Sequence, residues 1–274
     1  MTRVAVVGHV EWIELAAVEH VPTPGEIVHA SETWRLPAGG GAVAAVQLAR
    51  LAGECLFLTA LGDDELGRHA AQELGALGVR VEASWRPEPQ RRAFVHVDAA
   101  AERTITVLGE RLGPRGDDLL PWTELDGVDA VYFTAGDAEA LRRSRAARTL
   151  VATPRAYDTL VAAHVQLDLL VCSANDPGER GRAGELDPPP RFVAETEGAE
   201  GGTLIAADGS STCWQPALLP GPPVDAYGAG DSFAAGVTFG LATGLLPAEA
   251  VALGARCGAV CMTGRGPYEA RLTA

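Results

Sequence analysis

The run Val224-Asp225-Ala226-Tyr227-Gly228-Ala229-Gly230-Asp231-Ser232-Phe233 holds the residues best suited to chemistry. A turn of small residues leads into a long apolar stretch, Phe233 to Leu241, that closes near Gly244. Gly228 and Gly230 leave the backbone free of Cβ atoms, so several amide N–H groups can converge at a helix N-terminus, where the helix dipole favours anions. Asp231 falls in the first turn, placed either as a cap or as a base facing the anion site. One reading is an ordinary glycine turn with a capping aspartate. The other is phosphoryl transfer, with an anion hole for the developing charge and a carboxylate to accept a hydroxyl proton. The local pattern leaves both open.

Other candidates carry less. The five cysteines, Cys55, Cys172, Cys213, Cys257 and Cys261, form no CxxC pair, and an odd count reads as reduced thiols. Cys257 and Cys261 lie four apart on an expected helix with no His or acid to complete a metal site, so core packing is expected. The six histidines are scattered and include no HExxH. Asp63 and Asp64 read as turn and helix-cap residues.

Composition excludes several function classes. A formal charge of -14 argues against nucleic acid as a partner, because phosphate contacts need clustered Lys and Arg. All 22 basic residues are arginine, which excludes a lysine-bearing P-loop and any Schiff-base enzyme. No apolar run reaches the length of a membrane span, so no membrane partner is expected. The start runs straight into the strand-like Val4-Ala5-Val6-Val7, so no signal peptide and a cytoplasmic location are expected.

The elements around the glycine turn alternate between strand and helix. Val4 to Val7, Cys55 to Ala60, Val128 to Thr134, Leu167 to Val171 and Phe192 to Thr196 read as short buried strands. Ala42 to Leu51 has helical composition after Gly39-Gly40-Gly41, and Glu65 to Leu77 is amphipathic up to Gly78. Arg-rich helical segments fill the space between Thr134 and Leu167. Thr203 to Ala207 and Thr212 to Gln215 flank an Asp208-Gly209 hairpin turn. This rhythm implies a mostly parallel sheet covered on both faces. Trp12 to Leu36 and Ala93 to Leu108 break it. The first looks exposed rather than core, and the two are expected to pair in a small second sheet beside the main one. No linker separates two halves, so residues 1–274 are expected to form one domain.

The chain resembles the ribokinase-like (PfkB) carbohydrate kinases. That family's late signature, DTxGAGD before a Phe-containing helix, stands here as Asp225-Ala226-Tyr227-Gly228-Ala229-Gly230-Asp231, with Ala226 replacing the Thr. Its early Gly-Gly turn matches Gly39-Gly40-Gly41, and its V-G-D-D-x-x-G piece matches Leu61-Gly62-Asp63-Asp64-Glu65-Leu66-Gly67. Its T-x-G-x-x-G piece matches Thr196-Glu197-Gly198-Ala199-Glu200-Gly201, and Thr263-Gly264-Arg265-Gly266 looks like its last nucleotide-side loop. The matches fall in family order across nearly the whole chain.

The resemblance implies an α/β fold, a three-layer α/β/α domain with a mostly parallel central sheet and a small β-sheet lid from about residues 12–36 and 93–108. It implies Asp231 as general base, with Gly228, Ala229 and Gly230 as the anion hole. Thr196, Gly198, Glu200, Gly201, Asp225 and Gly266 would attend the nucleotide, ATP. Gly39, Gly40, Gly41 and the residue at Val43 would close on a small-molecule substrate. Mg²⁺ would bridge the ATP phosphates, and a monovalent cation such as K⁺ would sit near Asp225. A homodimer through the lid follows from the same resemblance.

Three departures bear on the substrate and the metal. Where the family commonly holds sugar hydroxyls with an Asp, Ile13 stands, with Glu11 or Glu14 as substitutes and His9 nearby. Where the family has a sugar-binding Asn, Val43 stands. Both changes remove a polar contact and point to an acceptor less hydroxylated than a free sugar, unless neighbours compensate. The family's N-x-x-E appears as Asn175-Asp176-Pro177-Gly178-Glu179, one place late, leaving Asp176 or Glu179 to meet a metal through water. The expected function is ATP-dependent phosphorylation of a hydroxyl on a sugar or sugar-like molecule. A nucleoside kinase, or a binding or regulatory homologue without turnover, are the alternatives. A Rossmann dehydrogenase is excluded, because Gly8-His9-Val10-Glu11-Trp12 lacks the glycines needed after the first strand.

Overall fold

Every residue of the first strand, β1 (Val4–Val7), is buried, which only a strand covered on both faces can be. The protein is described here by a computed structural model covering residues 2–179 and 182–273. Val4 and Val6 join one core and Ala5 and Val7 the other, as the two-residue period of a strand requires.

The remaining strands follow in chain order. They are β2 (Glu11–Ala17), β3 (Glu32–Ala38), β4 (Cys55–Gly62), β5 (Val79–Arg86), β6 (Arg92–Val97) and β7 (Arg103–Leu108), then β8 (Ala130–Phe133), β9 (Thr149–Ala152), β10 (Leu169–Ser173), β11 (Phe192–Thr196), β12 (Gly202–Ala206) and β13 (Ser211–Trp214). The helices are α1 (Gly40–Ala52), α2 (Glu65–Ala76), α3 (Ala138–Ser144), α4 (Tyr157–Ala163), α5 (Ala229–Ala242) and α6 (Pro247–Cys261).

Nine strands form the central sheet in the order β13-β12-β11-β10-β9-β8-β1-β4-β5. Pairing is parallel from β11 to β5, and at one edge β12 alone is reversed, pairing antiparallel with both β11 and β13. Leu48, Leu74, Phe233 and Val251 bring α1, α2, α5 and α6 onto one face. Leu141 and Leu160 bring α3 and α4 onto the other. The result is a three-layer α/β/α arrangement.

A second sheet has the order β3-β2-β6-β7, with β2 and β6 parallel and the outer pairs antiparallel. Its strands come from the two segments that break the βα rhythm. The expectation that the first of them is exposed fails for β2. Ile13 and Leu15 are fully buried and pack with Val43 and Tyr227, because alternate residues of β2 face the body of the protein. The first half of β3 is exposed.

Two strands were not expected. β9 has only four residues, wedged between helical segments, too short for a period to register. β5 is half-buried along most of its length at the edge of the central sheet. Cys257 and Cys261 are buried in the core. Asp64 caps α2 by accepting from Gly67 N at 2.9 Å.

Candidate active site

The loops that leave β1, β8, β9, β10 and β11 all emerge at the carboxyl ends of parallel strands, where open α/β sheets form their crevices. The N-termini of α1 and α5 open at the same place. A Cβ on Gly40 would lie 2.9 Å from Asp231 Oδ1 and 3.8 Å from His9 Cε1. The Gly-Gly-Gly turn, the β1 loop and Asp231 therefore meet around one small space that a side chain would fill.

Backbone geometry explains two of the glycines. Gly228 has φ +83°, and a Cβ there would approach Pro267 Cβ to 2.8 Å. Gly41 packs so tightly that a Cβ would come within 2.6 Å of the His9 carbonyl oxygen. The first fixes how α5 starts, and the second seats α1 against the loop after β1.

Asp231 sits in the first turn of α5, but its carboxylate does not cap the helix. Among the described residues it makes no hydrogen bond and no ion pair. Burial raises its pKa to about 6, Arg103, Arg155 and Arg271 oppose that rise, and Glu179 reinforces it. Such a carboxylate is charged at neutral pH yet close to the point where it can hold a proton. Behind it, Arg271 bonds Ser232 Oγ, which donates to the Gly228 carbonyl at 2.7 Å and steadies the turn.

Glu11 and His9 are buried beside the Gly39 turn. Arg91 Nε stands 2.8 Å from Glu11 Oε1. Burial raises the Glu11 pKa, with Arg91 opposing. Burial also pushes the His9 imidazole well below its usual pKa, helped by Arg111, Arg91 and Arg155, so the ring is neutral at pH 7. Its Nδ1 is buried with no partner among the described residues. Glu14 lies apart. It is on the opposite side of β2 from Glu11 and pairs with Arg35 at 3.4 Å, because neighbouring strand residues face opposite ways. Val43, with Ile13 and Tyr227, is buried in the apolar core under the small sheet.

The remaining expected residues gather on the β10–β12 side. A Cβ on Gly198 would lie 3.4 Å from Asn175 Nδ2, which brings the 196–201 loop against the loop after β10. Thr196 Oγ1 donates to the Cys172 carbonyl at 3.3 Å, and Glu200 is exposed. Asp176 and Glu179 both pair with Arg155, the latter at 2.6 Å. Asp225 is buried and accepts from Tyr227 N at 2.8 Å and Gly266 N at 3.0 Å. It thereby ties the α5 turn to the loop at Gly266.

The sequence profile described as the pfkB family carbohydrate kinase matches residues 1–168 and 182–274. The chain belongs to this family. The pfkB kinase is 27% identical over 276 residues to the aminoimidazole riboside kinase of Salmonella typhimurium, covering 86% of this chain and 85% of that one. It superimposes on ribokinase from Thermotoga maritima with a TM-score of 0.77 at 23% identity, over 97% and 95% of the two chains. It matches Arabidopsis thaliana ribokinase, solved with ribose and ATP, with a TM-score of 0.76 at 19% identity over 97% and 94%. The pfkB chain is thus an ATP-dependent kinase with an alcohol acceptor, built on the ribokinase fold.

Several residues at the pfkB site carry no sequence signal. Arg91, Arg111 and Arg155 reach it from three separate segments, and nothing in their spacing marks them among 22 arginines. Gln90 is buried and bridges Gly62 N and the Val10 carbonyl, at 3.1 and 2.8 Å. No helix among the described residues is long and apolar enough to cross a membrane.

Proposed function

We propose that the protein transfers the γ-phosphoryl group of ATP to a hydroxyl of a small sugar-like or nucleoside-like molecule, as one kinase domain spanning the chain. The observation that carries the residue assignment is the unpartnered Asp231 carboxylate facing the gap over Gly40. In this reading Asp231 takes the proton from the acceptor hydroxyl as its oxygen attacks phosphorus. The amides of Gly228, Ala229 and Gly230 receive the charge that builds on the transferring group. His9, Glu11 and the Gly39–Gly41 turn line the acceptor side. Thr196, Gly198, Glu200, Gly201 and Gly266 attend the nucleotide.

Asp176 and Glu179 would hold Mg²⁺ through water. Two carboxylates beside a phosphate site suit an ion that keeps several waters. When bound, Mg²⁺ neutralises phosphate charge. Arg155, which pairs with both acids, sets their orientation. Asp225 fits a monovalent cation. It is a buried carboxylate with no ion pair among the described residues, and burial raises its pKa. Such a charge is costly without a counter-ion.

Ile13 and Val43 are fully buried in the core under the small sheet and offer no polar group to sugar hydroxyls. Free ribose and fructose are therefore expected to give kcat/KM below about 10⁴ M⁻¹s⁻¹, the low end of the usual enzyme range. The test is ADP release over a panel of sugars and nucleosides, with Mg²⁺ or EDTA and with K⁺ or Na⁺. Efficient use of free ribose or fructose overturns the acceptor reading. Release of no ADP with any acceptor overturns the kinase reading, and indifference to EDTA or to K⁺ removes the corresponding ion.

A homodimer through the small sheet is part of the same proposal. All six residues of its edge strand β7 are exposed, including Ile105, Val107 and Leu108. An open apolar strand edge is a ready pairing surface. Light scattering is expected to give twice the chain mass, and Val107→Asp to return the single-chain mass. A monomer at micromolar concentration argues against the dimer.

A further inference from the structure

The segment after α6 returns to the N-terminus of α5. Gly266 N donates to Asp225 at 3.0 Å, and Tyr268 Oη donates to the Pro37 carbonyl of β3 at 2.6 Å. The Leu272 carbonyl accepts at 2.8 Å from Nε2 of Gln47, a fully buried amide on α1. Between these anchors Arg271 reaches Ser232. Its Nη1 donates to Ser232 Oγ and, at 3.5 Å, to Gln47 Oε1, and its guanidinium lies 5.3 Å from the centre of the Tyr268 ring. Nε and Nη2 are buried with no hydrogen-bond partner, and no carboxylate pairs with the side chain, among the described residues.

A buried guanidinium without a carboxylate partner costs stability. Desolvation lowers the Arg271 pKa, while Cys261, Tyr268, Asp231 and Cys257 oppose that fall. Of these four only Asp231 is charged at neutral pH, because burial pushes the other three up. The tail does not need the charge to stay in place, since Gln47 and Tyr268 already tie its backbone and ring to α1 and β3.

Two hydrogen bonds in series join this charge to the anion-hole turn. Arg271 donates to Ser232 Oγ, and the Ser232 hydroxyl donates to the Gly228 carbonyl at 2.7 Å. A trans peptide carries its N–H on the side opposite its C=O. Pull on the Gly228 carbonyl therefore polarises the Ala229 N–H, which is left with a long contact to the Ala226 carbonyl at 3.4 Å. Hydrogen bonds in a chain strengthen one another, and a charged donor at the head of the chain adds to this. The same guanidinium acts on the Asp231 carboxylate, as Arg103 does from β7 and Arg155 from the loop after β9, with Glu179 opposing. Tyr132, Tyr227, Tyr268 and Cys261 also face that carboxylate, and burial keeps each of them neutral at pH 7. His9, across the gap over Gly40, is neutral too.

We infer that Arg271 is a positioning residue for phosphoryl transfer, its charge acting through Ser232 on the Gly228–Ala229 peptide and across the turn on the Asp231 carboxylate. The inference rests on the reading of the α5 turn as the anion hole with Asp231 as base. Arg271 meets neither ATP nor the acceptor in this arrangement, so its loss slows the chemical step and leaves binding alone.

Arg271→Met keeps the length of the side chain and removes its charge. It is expected to melt at or above the parent, because an apolar group in place of a buried charge is often neutral or stabilising. ADP release from Mg²⁺-ATP, with ribose and with inosine as acceptors, should show kcat down about 10-fold and both KM values unchanged. That loss is smaller than the 10²–10³ cost of removing an anion-hole donor outright. The acid limb of kcat/KM, set by Asp231, should move to higher pH once a positive neighbour is gone. Ser232→Ala breaks the relay and keeps the charge, so kcat should fall with the acid limb in place. Arg271→Lys should restore the acid limb and part of kcat. An acceptor-free measurement uses ADP with aluminium fluoride, a stand-in for the transferring phosphoryl group. Its rise in melting temperature over ADP alone should shrink in Arg271→Met and return in Arg271→Lys.

Parent-like kcat and a parent-like aluminium fluoride response in Arg271→Met overturn the inference and leave the kinase reading standing. So does a slow Arg271→Met with KM raised in parallel, the acid limb unmoved and no recovery in Arg271→Lys, which is the pattern of a tail that has lost its anchor. Should Arg271→Met melt below the parent, Arg271→Gln, uncharged but able to bond Ser232, is judged by the same criteria. A parent that releases no ADP and ignores aluminium fluoride overturns the reading of the α5 turn itself.

Discussion

Asp231→Asn is expected to melt higher than the parent at pH 7.5 and to turn over at least about 10²-fold more slowly, the usual scale for losing a general base. Both effects come from one feature, a carboxylate whose pKa is raised to about 6 by burial. Between the ordinary carboxylate value and that figure, the folded protein binds more protons than the unfolded chain. Stability contributed by this group is therefore present at low pH and is lost as pH rises through about 6. Asn cannot ionise, so the variant escapes that loss. The difference in melting temperature should shrink as pH falls toward 4, where the parent carboxyl is also neutral.

Turnover should follow the opposite course. The base works only when ionised, so kcat/KM of the parent should fall as pH drops below about 6. The competing view makes Asp231 a helix cap, but its side chain caps nothing. On that view Asn would be nearly silent in both measurements, since Asn caps about as well as Asp. Calorimetry across pH and ADP release on the same preparation decide between them. Turnover near the parent's would remove the catalytic assignment.

The difference between what the sequence makes legible and what it hides has a physical basis here. Asp231, Gly228 and the 196–201 loop are contiguous motifs, and contiguous motifs report the backbone geometry that forces them. Gly228 needs φ +83°, and Gly41 has no room for a Cβ, so both appear as invitations to glycine in the chain itself. Glu11 and Glu14 are harder. Both are acids three residues apart, and only the register of β2 against β3 and β6 shows which one faces the cleft. Ile13 and Val43 are readable as missing polar groups, but that they are buried in one apolar cluster is a tertiary fact.

The arginines are the extreme case. Arg91, Arg111 and Arg155 sit at the ends of elements far apart in the chain and are brought together by two sheets folding toward each other. No period or spacing encodes that meeting. The short strand β9 failed for a related reason. Its four residues owe their conformation to β8 and β10 on either side rather than to any pattern of their own.

Gly230→Ala is expected to fold at least as well as the parent and to lose most of its turnover. Gly230 lies in the first turn of α5 with an ordinary backbone, and a Cβ there would meet no protein atom within 4 Å. Replacing such a glycine by alanine stabilises by roughly 0.4–1 kcal/mol, because the unfolded chain has fewer states to lose. The protein gives no structural reason for glycine at this position. A functional one is that the transferring phosphoryl group must approach the backbone amides where the methyl would stand. Crowding it away from even one such donor costs about 10²–10³ in kcat. Gly228→Ala is the contrasting variant. There the left-handed backbone costs about 1–2 kcal/mol with alanine. The 2.8 Å approach to Pro267 adds to that cost. Its melting temperature should fall by several degrees, at roughly 2–4 °C per kcal/mol for a chain of this size. Loss of turnover with loss of stability would be ambiguous for Gly228 alone. Loss of turnover with equal or greater stability in Gly230→Ala is not, because it separates what the turn needs to fold from what it needs to act. Full activity in Gly230→Ala would move the phosphoryl group away from the N-terminus of α5, and with it the assignment of Asp231 as its neighbouring base.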